Sequence, residues 1–375
     1  REPSSMHVLG RDAPADAGPV AELGRFLARD GSEGAPVGLD LDRPHAGVVV
    51  GKRGTGKSYT LGVLVEELAG AAGVAPVVVD PMGVFAGLRE AGGRVVEPRV
   101  RPDALPPSAW PDLLGLDPES PAGSLLWRSV AEADEEESAT ALPAVRDRLE
   151  AADAPASARR AADNALRLAA SWDVFAADAP HPAAFADGAP TVLDCAGLST
   201  AARGAVVRAV ARGLYEARLA DAGEGCRRLP WLLVDEAHAL FGGVADPALR
   251  TLLTRGRAPG VSLVCATQRP GVLPDVAVSQ ADLLVAHRLT DERDVAALRA
   301  AQPSYLGADL AAALPTDTGE ALVVDDATEV SHTVRVRERD TPHGGGSPRA
   351  SAVADGRAVA EPPRTGTRAG TGSEK

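Results

Sequence analysis

The stretch GKRGTGKSYT, residues 51–60, decides the fold of this chain. It opens with the spacing G-x-x-x-x-G-K-[ST], in which glycines let backbone N–H groups turn inward around a phosphate. The apolar run AGVVV precedes it and the helical pattern SYTLGVLVEELA continues from it. A strand before the loop and a helix after it are the context that this motif needs. The stretch therefore predicts a phosphate-binding loop.

Lysine is rare in this chain, and its use at the loop supports the prediction. Of 39 Lys and Arg residues, only Lys52, Lys57 and Lys375 are lysines. A compact ammonium at position 57 can reach between the β- and γ-phosphates, where the wide guanidinium of arginine does not fit in the same way. Ser58 can bind Mg²⁺ through its hydroxyl group. We predict ATP and Mg²⁺ as ligands, and the nucleotide-binding residues are Gly51, Lys52, Arg53, Gly54, Thr55, Gly56, Lys57, Ser58 and Tyr59.

Composition places the chain among soluble globular proteins. Its 375 residues are 45% hydrophobic and 24% charged, which is enough apolar material for one large domain. No apolar run approaches the roughly 18 residues of a membrane span, and no signal-peptide pattern opens the sequence, so we expect a cytoplasmic protein without a membrane partner. The net charge of −13 argues against a protein that coats nucleic acid. It leaves room for a local basic channel.

The three cysteines, Cys195, Cys226 and Cys265, do not have the spacing of metal ligands. Cys195 and Cys265 lie in apolar, strand-like runs. Both are predicted to be small buried hydrophobic residues rather than parts of a disulfide or metal site.

Short apolar runs alternate with helical patterns along the chain. Runs of this length rich in Val and Leu predict strands buried on both faces of a parallel sheet. Their alternation with helices, such as the pattern over 203–220, predicts a doubly wound α/β layer. The predicted strands lie within 46–51, 75–80, 190–195, 230–236, 261–267, 282–289 and 320–325.

The domain organisation follows from where this alternation stops. Residues 1–45 form a lead-in, and 46–340 form the main domain. Within it, about 103–188 holds no strand-like run but several Ala-rich helical patterns, which predicts a helical insertion. Residues 341–375 are rich in Gly and Pro without hydrophobic periodicity and predict a disordered tail.

Two carboxylates end the apolar run PWLLVDE. At the tip of a strand in a phosphate-loop fold, Asp235 would hold Mg²⁺, and Glu236 would act as general base on the attacking water. The run VSLVCATQRP ends on Thr267 and Gln268, and a polar residue there can sense the γ-phosphate and orient water. The alternative is that Thr267 and Gln268 have no catalytic role and are polar because the strand ends there.

Three arginines, Arg250, Arg255 and Arg257, precede that run. A guanidinium at a subunit edge could enter a neighbour's site as an arginine finger. A solvated basic loop explains the same spacing, and the two interpretations stay open on the residues alone.

Several blocks in order resemble the HerA/FtsK superfamily of ring-forming ATPases, on the HerA side. They are VGLDLDRPHAGVVVGKRGTGKSYT, VVVDPMG, TVLDCAGL, LLVDEAH, RGRAPGVSLVCATQRP and SQADLLVAHRLTDERDVAAL. The resemblance implies a RecA-like P-loop NTPase fold, a hexameric ring with ATP between subunits, double-stranded DNA in the central pore, and a nuclease partner. By position, Glu236 matches the family's catalytic glutamate, Gln268 its sensor, and Arg257 or Arg255 its finger acting in trans.

The chain departs from the family pattern at two points. Residues 6–45 leave little room for the β-barrel that opens HerA proteins, so the barrel is expected to be reduced or missing. Position 53 is Arg where the family more often has a small or hydroxyl residue.

Four functions each account for part of this sequence. A DNA-translocating ATPase fits the ordered blocks, and an ATP-dependent assembly or signalling switch without DNA fits the acidic charge. A DEAH-box helicase, suggested by Asp235-Glu236-Ala237-His238, needs two RecA-like units, and this chain has one. A degenerate binding module is disfavoured by the intact Lys57, Asp235 and Glu236. The motor and the switch both stay open.

Overall fold

One continuous sheet organises the protein. A computed structural model describes residues 6–11, 18–135, 141–220, 227–301, 310–325 and 330–345. Cys226 and the part of the predicted tail beyond residue 345 lie outside the described residues. The strands are β1 (His7–Leu9), β2 (Val20–Leu27), β3 (Glu33–Asp40), β4 (Ala46–Val50), β5 (Val74–Asp80), β6 (Arg94–Val96), β7 (Thr191–Asp194), β8 (Leu229–Val234), β9 (Ser262–Thr267), β10 (Leu283–Ala286), β11 (Glu320–Asp325) and β12 (Val330–Val336).

Helices connect many of these strands and cover the sheet. They are α1 (Lys57–Gly70), α2 (Trp110–Leu113), α3 (Pro121–Glu135), α4 (Leu142–Ala151), α5 (Ala156–Ser171), α6 (Thr200–Leu219), α7 (Asp246–Arg255), α8 (Asp275–Ser279), α9 (Glu292–Ala301) and α10 (Leu310–Ala313). No helix in the described part of the chain combines the length and the apolar character needed to cross a bilayer.

The sheet is mixed but mostly parallel, as predicted. Its strand order is β1-β3-β2-β12-β11-β10-β4-β9-β8-β5-β7-β6. Every pairing from β10 to β6 along this order is parallel. The pairings that link β10 through β11, β12 and β2 to β3 are antiparallel. Each of the seven predicted runs contains a strand, but β11 was expected in the parallel part and pairs antiparallel with β10. Periodicity predicts burial, and burial does not fix strand direction.

The central strands are buried on both faces because helices cover both. Alternate residues of β4 point to opposite sides: Val48 and Val50 belong to one apolar core and Val49 to the other. α6 and α7 pack on the first side, and α1 packs on the second. Cys195 and Cys265 are fully buried free thiols, as predicted.

The helices between residues 103 and 188 have an apolar core of their own. It includes Trp110, Leu126, Val145, Leu149 and Leu166 from α2, α3, α4 and α5.

The N-terminal lead-in has no separate sheet. Its strands β2 and β3 extend the main sheet, because β2 pairs with β12. The N-terminal strands therefore belong to the same layer that carries the phosphate loop.

Candidate active site at the carboxyl edge of the sheet

The phosphate loop turns between β4 and α1, and its glycines are required by close contacts and by backbone conformation. A Cβ at Gly51 would lie 2.6 Å from both His287 Cβ and Thr55 Oγ1. Gly54 and Gly56 have φ of 80° and 121°, values that side-chain-bearing residues rarely adopt. The loop can therefore present its backbone N–H groups inward, at the N-terminus of α1.

The side chain of Lys57 folds back onto the phosphate loop. Its Nζ donates to the carbonyl of Lys52 at 3.1 Å, and Thr55 Oγ1 donates to the same oxygen at 2.7 Å. Burial lowers the pKa of Lys57, and the nearby carboxylates of Glu236 and Asp235 oppose that shift. The ammonium is thus held where a γ-phosphate would meet it.

Ser58 and Asp235 form the second element of the site. Asp235 follows β8, is almost fully buried, and accepts a hydrogen bond from Ser58 Oγ at 2.7 Å. Burial raises the pKa of Asp235, although the bonds from Ser58 and from the Glu236 N–H act in the opposite direction. A hydroxyl and a carboxylate oxygen are ligands that Mg²⁺ accepts beside phosphate oxygens and waters, so the predicted pair fits the ion. Within the described residues, no group of three or more His, Cys, Asp or Glu side chains forms a metal site by itself.

Glu236 stands beside this pair in a strained conformation. Its φ of 50° lies in the left-handed region, which costs a non-glycine residue about 1–3 kcal/mol. Gln268 Nε2 donates to Glu236 Oε2 at 3.4 Å, so the predicted sensor and base do meet. Burial, and then the neighbouring Asp235, raise the pKa of Glu236. A carboxylate with a raised pKa is a better proton acceptor near neutral pH.

A cavity of about 890 Å³ lies over the phosphate loop and Glu236. Its lining includes the loop residues Arg53, Gly54, Gly56, Lys57 and Ser58, together with Tyr59 and Glu236. The side chain of Lys52, another predicted binding residue, is exposed beside the loop. The arrangement can bind a polyphosphate and place a base next to it.

Comparisons with known proteins agree with this geometry. Residues 21–175, which include the phosphate loop, match the family model described as the central domain of helicase HerA. Over this segment the chain is similar to the central domain of HerA-type P-loop ATPases. No curated protein matches it in sequence.

Solved structures share the fold of this chain. VirB4 of Thermoanaerobacter pseudethanolicus has a TM-score of 0.66 at 17% identity, covering 88% of this chain and 98% of that one. The bacterial conjugative coupling protein TrwBdeltaN70 has a TM-score of 0.57 at 16% identity, covering 90% and 98%. TrwB in complex with the non-hydrolysable GTP analogue GDPNP has a TM-score of 0.53 at 16% identity, covering 79% and 86%. These likenesses support the RecA-like P-loop NTPase fold.

The arginines that the HerA resemblance singled out lie on the other side of the sheet. Arg257 precedes β9, which runs parallel to β4, so it lies at the amino edge while the phosphate loop lies at the carboxyl edge. The five residues of β4 separate the two edges by roughly 15 Å. Arg255 ends α7 and is exposed, and Arg257 is also exposed. Neither is placed to reach Glu236 of its own chain.

Asp282 holds Arg257 at the amino edge. Its Oδ2 lies 3.2 Å from Arg257 Nη2 and 3.0 Å from His45 Nδ1, and its Oδ1 accepts from the Ala46 N–H at 2.9 Å. Ala46 is the first residue of β4, whose other end leads into the phosphate loop. The amino edge therefore carries an arginine bound to the strand that supports the loop.

Sequence reasoning missed His287, which lies beneath the loop. Its Nδ1 must donate to the carbonyl of Glu320 at 2.8 Å, so Nε2 accepts from Thr60 Oγ1 at 2.9 Å. Burial lowers the pKa of His287 to about 4. The signal was a histidine inside the apolar run DLLVAHRL.

His238 was quoted only as part of a helicase-like motif, yet it contacts the base. Its Nδ1 lies 3.3 Å from Glu236 Oε2 and 3.2 Å from Thr267 Oγ1. Burial, followed by the charge of Arg269, lowers the pKa of His238. This side chain adds a second polar contact to Glu236.

Proposed function

We propose that the chain is an ATPase that assembles into a ring and moves double-stranded DNA. The observation that carries the proposal is that Lys57 and Glu236 line one cavity, while Asp235 contacts Ser58 and Gln268 contacts Glu236 beside it. The candidate finger arginines lie on the opposite edge. Four groups of a hydrolytic site lie in one chain, and an arginine finger would come from another copy.

The proposed chemistry is attack of water on the γ-phosphorus of ATP. Glu236 takes a proton from the attacking water, and Gln268 and His238 orient its carboxylate through the contacts at 3.4 and 3.3 Å. The bond between the γ-phosphorus and the β–γ bridging oxygen breaks, giving ADP and phosphate. Lys57 stabilises the negative charge that develops on the phosphate oxygens. Ser58 and Asp235 would hold Mg²⁺, which when bound neutralises charge on the β- and γ-phosphates.

The positions of the arginines support a head-to-tail assembly. Placing the amino edge of one chain against the carboxyl edge of the next would bring Arg255 or Arg257 to the neighbour's phosphates. A contact between two different surfaces is heterologous and closes into a ring when the rotation allows it. A hexamer and a nuclease partner are the finer expectations from the family.

DNA as the substrate rests on the similarity of residues 21–175 to the central domain of helicase HerA and not on a described binding surface. The net charge of −13 is compatible with it, because a few arginines per subunit are multiplied by ring symmetry. Basic residues are expected to cluster on one rim or pore face of the assembly. A uniformly acidic surface would count against translocation and favour the ATP-dependent switch.

The experiment that tests the proposal is ATP hydrolysis by the full chain with and without duplex DNA. Glu236→Gln is the control, since it keeps the size of the side chain and removes the base. Stimulation by DNA that is lost in this variant supports the motor. Hydrolysis that depends on Glu236 but ignores DNA overturns translocation and supports the switch.

A further inference from the structure

The segment Arg337–Gly345, here called the strap, leaves β12 and crosses α1. Its anchor is Glu66 of α1, a carboxylate almost fully removed from solvent. Glu66 accepts from Arg337 Nη1 at 3.1 Å, from Arg339 Nε at 3.1 Å and from Thr341 Oγ1 at 2.5 Å. It also accepts from the backbone N–H groups of Asp340 and Thr341, at 3.0 and 3.1 Å. Such a set of bonds fixes the path of the strap across the helix.

The strap is built into the protein rather than resting on its surface. The Arg339 side chain is only 1% exposed, and its guanidinium lies 6.0 Å from the ring centres of Tyr59 and Phe85. A Cβ at Gly87 would lie 2.2 Å from the carbonyl oxygen of Pro342, so that close approach requires glycine. The Gly344 N–H donates to the carbonyl of Val84 at 3.2 Å. The strap is therefore fixed both by its contacts with α1 and by its contacts with residues 84–87.

The far end of the strap lines the cavity that contains the phosphate loop. His343, Gly344 and Gly345 share that cavity with Lys57 and Tyr59. The His343 and Tyr59 rings meet edge to face, with centres 5.5 Å apart and an interplanar angle of 77°. One end of the cavity is thus an anion site, and another wall carries two rings and a glycine backbone.

His343 also presents a defined hydrogen-bond donor. Arg339 Nη1 lies 3.2 Å from His343 Nδ1, and because a guanidinium can only donate, Nδ1 accepts. The proton of the neutral imidazole is then on Nε2. That nitrogen lies 2.5 Å from the position that a Cβ of Gly345 would occupy, and both residues line the cavity.

We infer that the strap is the base and ribose wall of the nucleotide site. Tyr59 and His343 contact the planar base, and His343 Nε2 and the Gly344–Gly345 backbone offer polar groups to the base or the ribose. The ligand class is a nucleoside triphosphate, recognised at both ends. This inference rests on the proposed function, because it assumes that the phosphates occupy the loop.

The test compares two ligands that share the phosphates and differ in the base. ATP and inorganic tripolyphosphate are titrated against the full chain, using the wild type, His343→Ala and His343→Phe. His181→Ala is the matched control, since His181 is an exposed histidine of the helical segment outside the cavity. Base–aromatic contacts of this kind predict that His343→Ala weakens ATP about 5- to 150-fold and leaves tripolyphosphate unchanged. His343→Phe should recover most of the loss.

A second variant tests the anchor. Glu66→Gln keeps the shape of the side chain and removes the charge that holds both guanidinium groups, so it should release the strap and weaken ATP but not tripolyphosphate. Retained tripolyphosphate binding also reports that the phosphate loop is folded.

The outcomes separate the two proposals. Equal ATP affinity in the wild type, His343→Ala and Glu66→Gln overturns the strap inference alone. Equal loss of ATP and tripolyphosphate also overturns it, because the effect is then not specific to the base. A wild-type chain that binds neither ligand overturns the proposed function and the inference with it.

Discussion

The two edges of the parallel sheet differ in how their charges are used. At the carboxyl edge, Lys57 and Glu236 line an open cavity, and Glu236 has a left-handed backbone and a raised pKa. At the amino edge, Asp282 is shared between His45 and Arg257, so opposite charges already neutralise one another. The carboxyl edge therefore presents Lys57 and Glu236 to a ligand in the cavity. At the amino edge, Arg257 is already paired with Asp282.

This difference indicates what each edge lacks. The carboxyl edge has a base, a lysine and a metal-binding pair, but neither of the candidate finger arginines, Arg255 and Arg257. The amino edge has the arginines and no phosphate loop. Two copies of the chain, edge against edge, would supply one complete site.

The largest expected effect is a loss of ATP hydrolysis when an arginine of the amino edge is removed. Arg257→Ala should lower kcat by ~10³-fold or more, since fingers acting in trans contribute ~10³–10⁵. Arg255→Ala is measured beside it to decide which arginine acts. Arg250→Ala is the control, because Arg250 pairs with Asp246 on the surface of its own helix. Steady-state ATP hydrolysis is the measurement.

Mixing variants shows whether that arginine acts across subunits. Arg257→Ala and Glu236→Gln chains are each inactive, but a mixed ring contains sites with an intact arginine from one chain and an intact glutamate from the other. Roughly a quarter of the sites in an equal mixture should be complete. A mixture no more active than its two parts would place the arginine's role within one chain or remove it.

The next effect concerns the carboxyl edge alone. Glu236→Gln should lower kcat by ~10²–10⁴-fold, the usual contribution of a general base, while ATP still binds. Single-turnover hydrolysis and equilibrium binding separate the two quantities. Asp282→Asn at the amino edge provides the contrast, and an equal loss in both variants would contradict the division of roles between the edges.

Gln268→Ala should have a smaller effect. Its amide makes one long hydrogen bond to Glu236, at 3.4 Å, so its loss should lower kcat by about 10-fold with little change in KM. His238→Ala would sharpen the assignment, since His238 contacts the same oxygen. If Gln268→Ala raises KM alone, Gln268 contacts the ligand and does not orient the base.

The smallest effect is on stability and compares the buried His287 with the exposed His181. The folded pKa of His287, about 4, lies below its ordinary value of 6.5, so the unfolded chain binds more protons between these values. The free energy of unfolding should therefore fall as pH decreases through this window, by about 2 kcal/mol at pH 5 from this residue.

Urea unfolding at pH 7.5 and 5 measures that decrease. His287→Asn keeps a donor towards Glu320 and should show a smaller decrease than the wild type. The exposed His181→Asn should behave as the wild type does. An unchanged pH dependence in His287→Asn would mean that the imidazole is not kept neutral beneath the loop.

The sequence predicts the local parts of this molecule better than the distant ones. Each run of Val and Leu contains a strand because burial on both faces needs such a run. β2 and β12 were not predicted, since most of their residues are only partly buried and Gly or Arg interrupts their apolar residues. Their pairing depends on contacts between the two ends of the chain.

The residues of the site also divide into those that a local sequence pattern predicts and those that only the folded sheet brings together. Gly51 to Ser58, Asp235 and Glu236 are adjacent to strands and helices that the pattern defines. His287 and the strap lie far from the loop in sequence and reach it only through the folded sheet. The local signal for His287 is a histidine inside an apolar run, and no local pattern signals the strap. Residues 341–345 belong to the predicted tail by composition, and Thr341 and His343 nevertheless pack on α1 and Tyr59.

The pairing of β2 with β12 also sets an order in time during synthesis. The partners Phe26 and Val334 are about 300 residues apart, which a ribosome needs roughly 15 to 60 s to translate. Until then one side of the β2–β3 hairpin lacks its partner, and the cavity lacks the wall that follows β12. The phosphate loop of a nascent chain waits for β9 and β10, which pair with β4 on either side. The wall that we assign to the base closes later still, once the last described strand has been made.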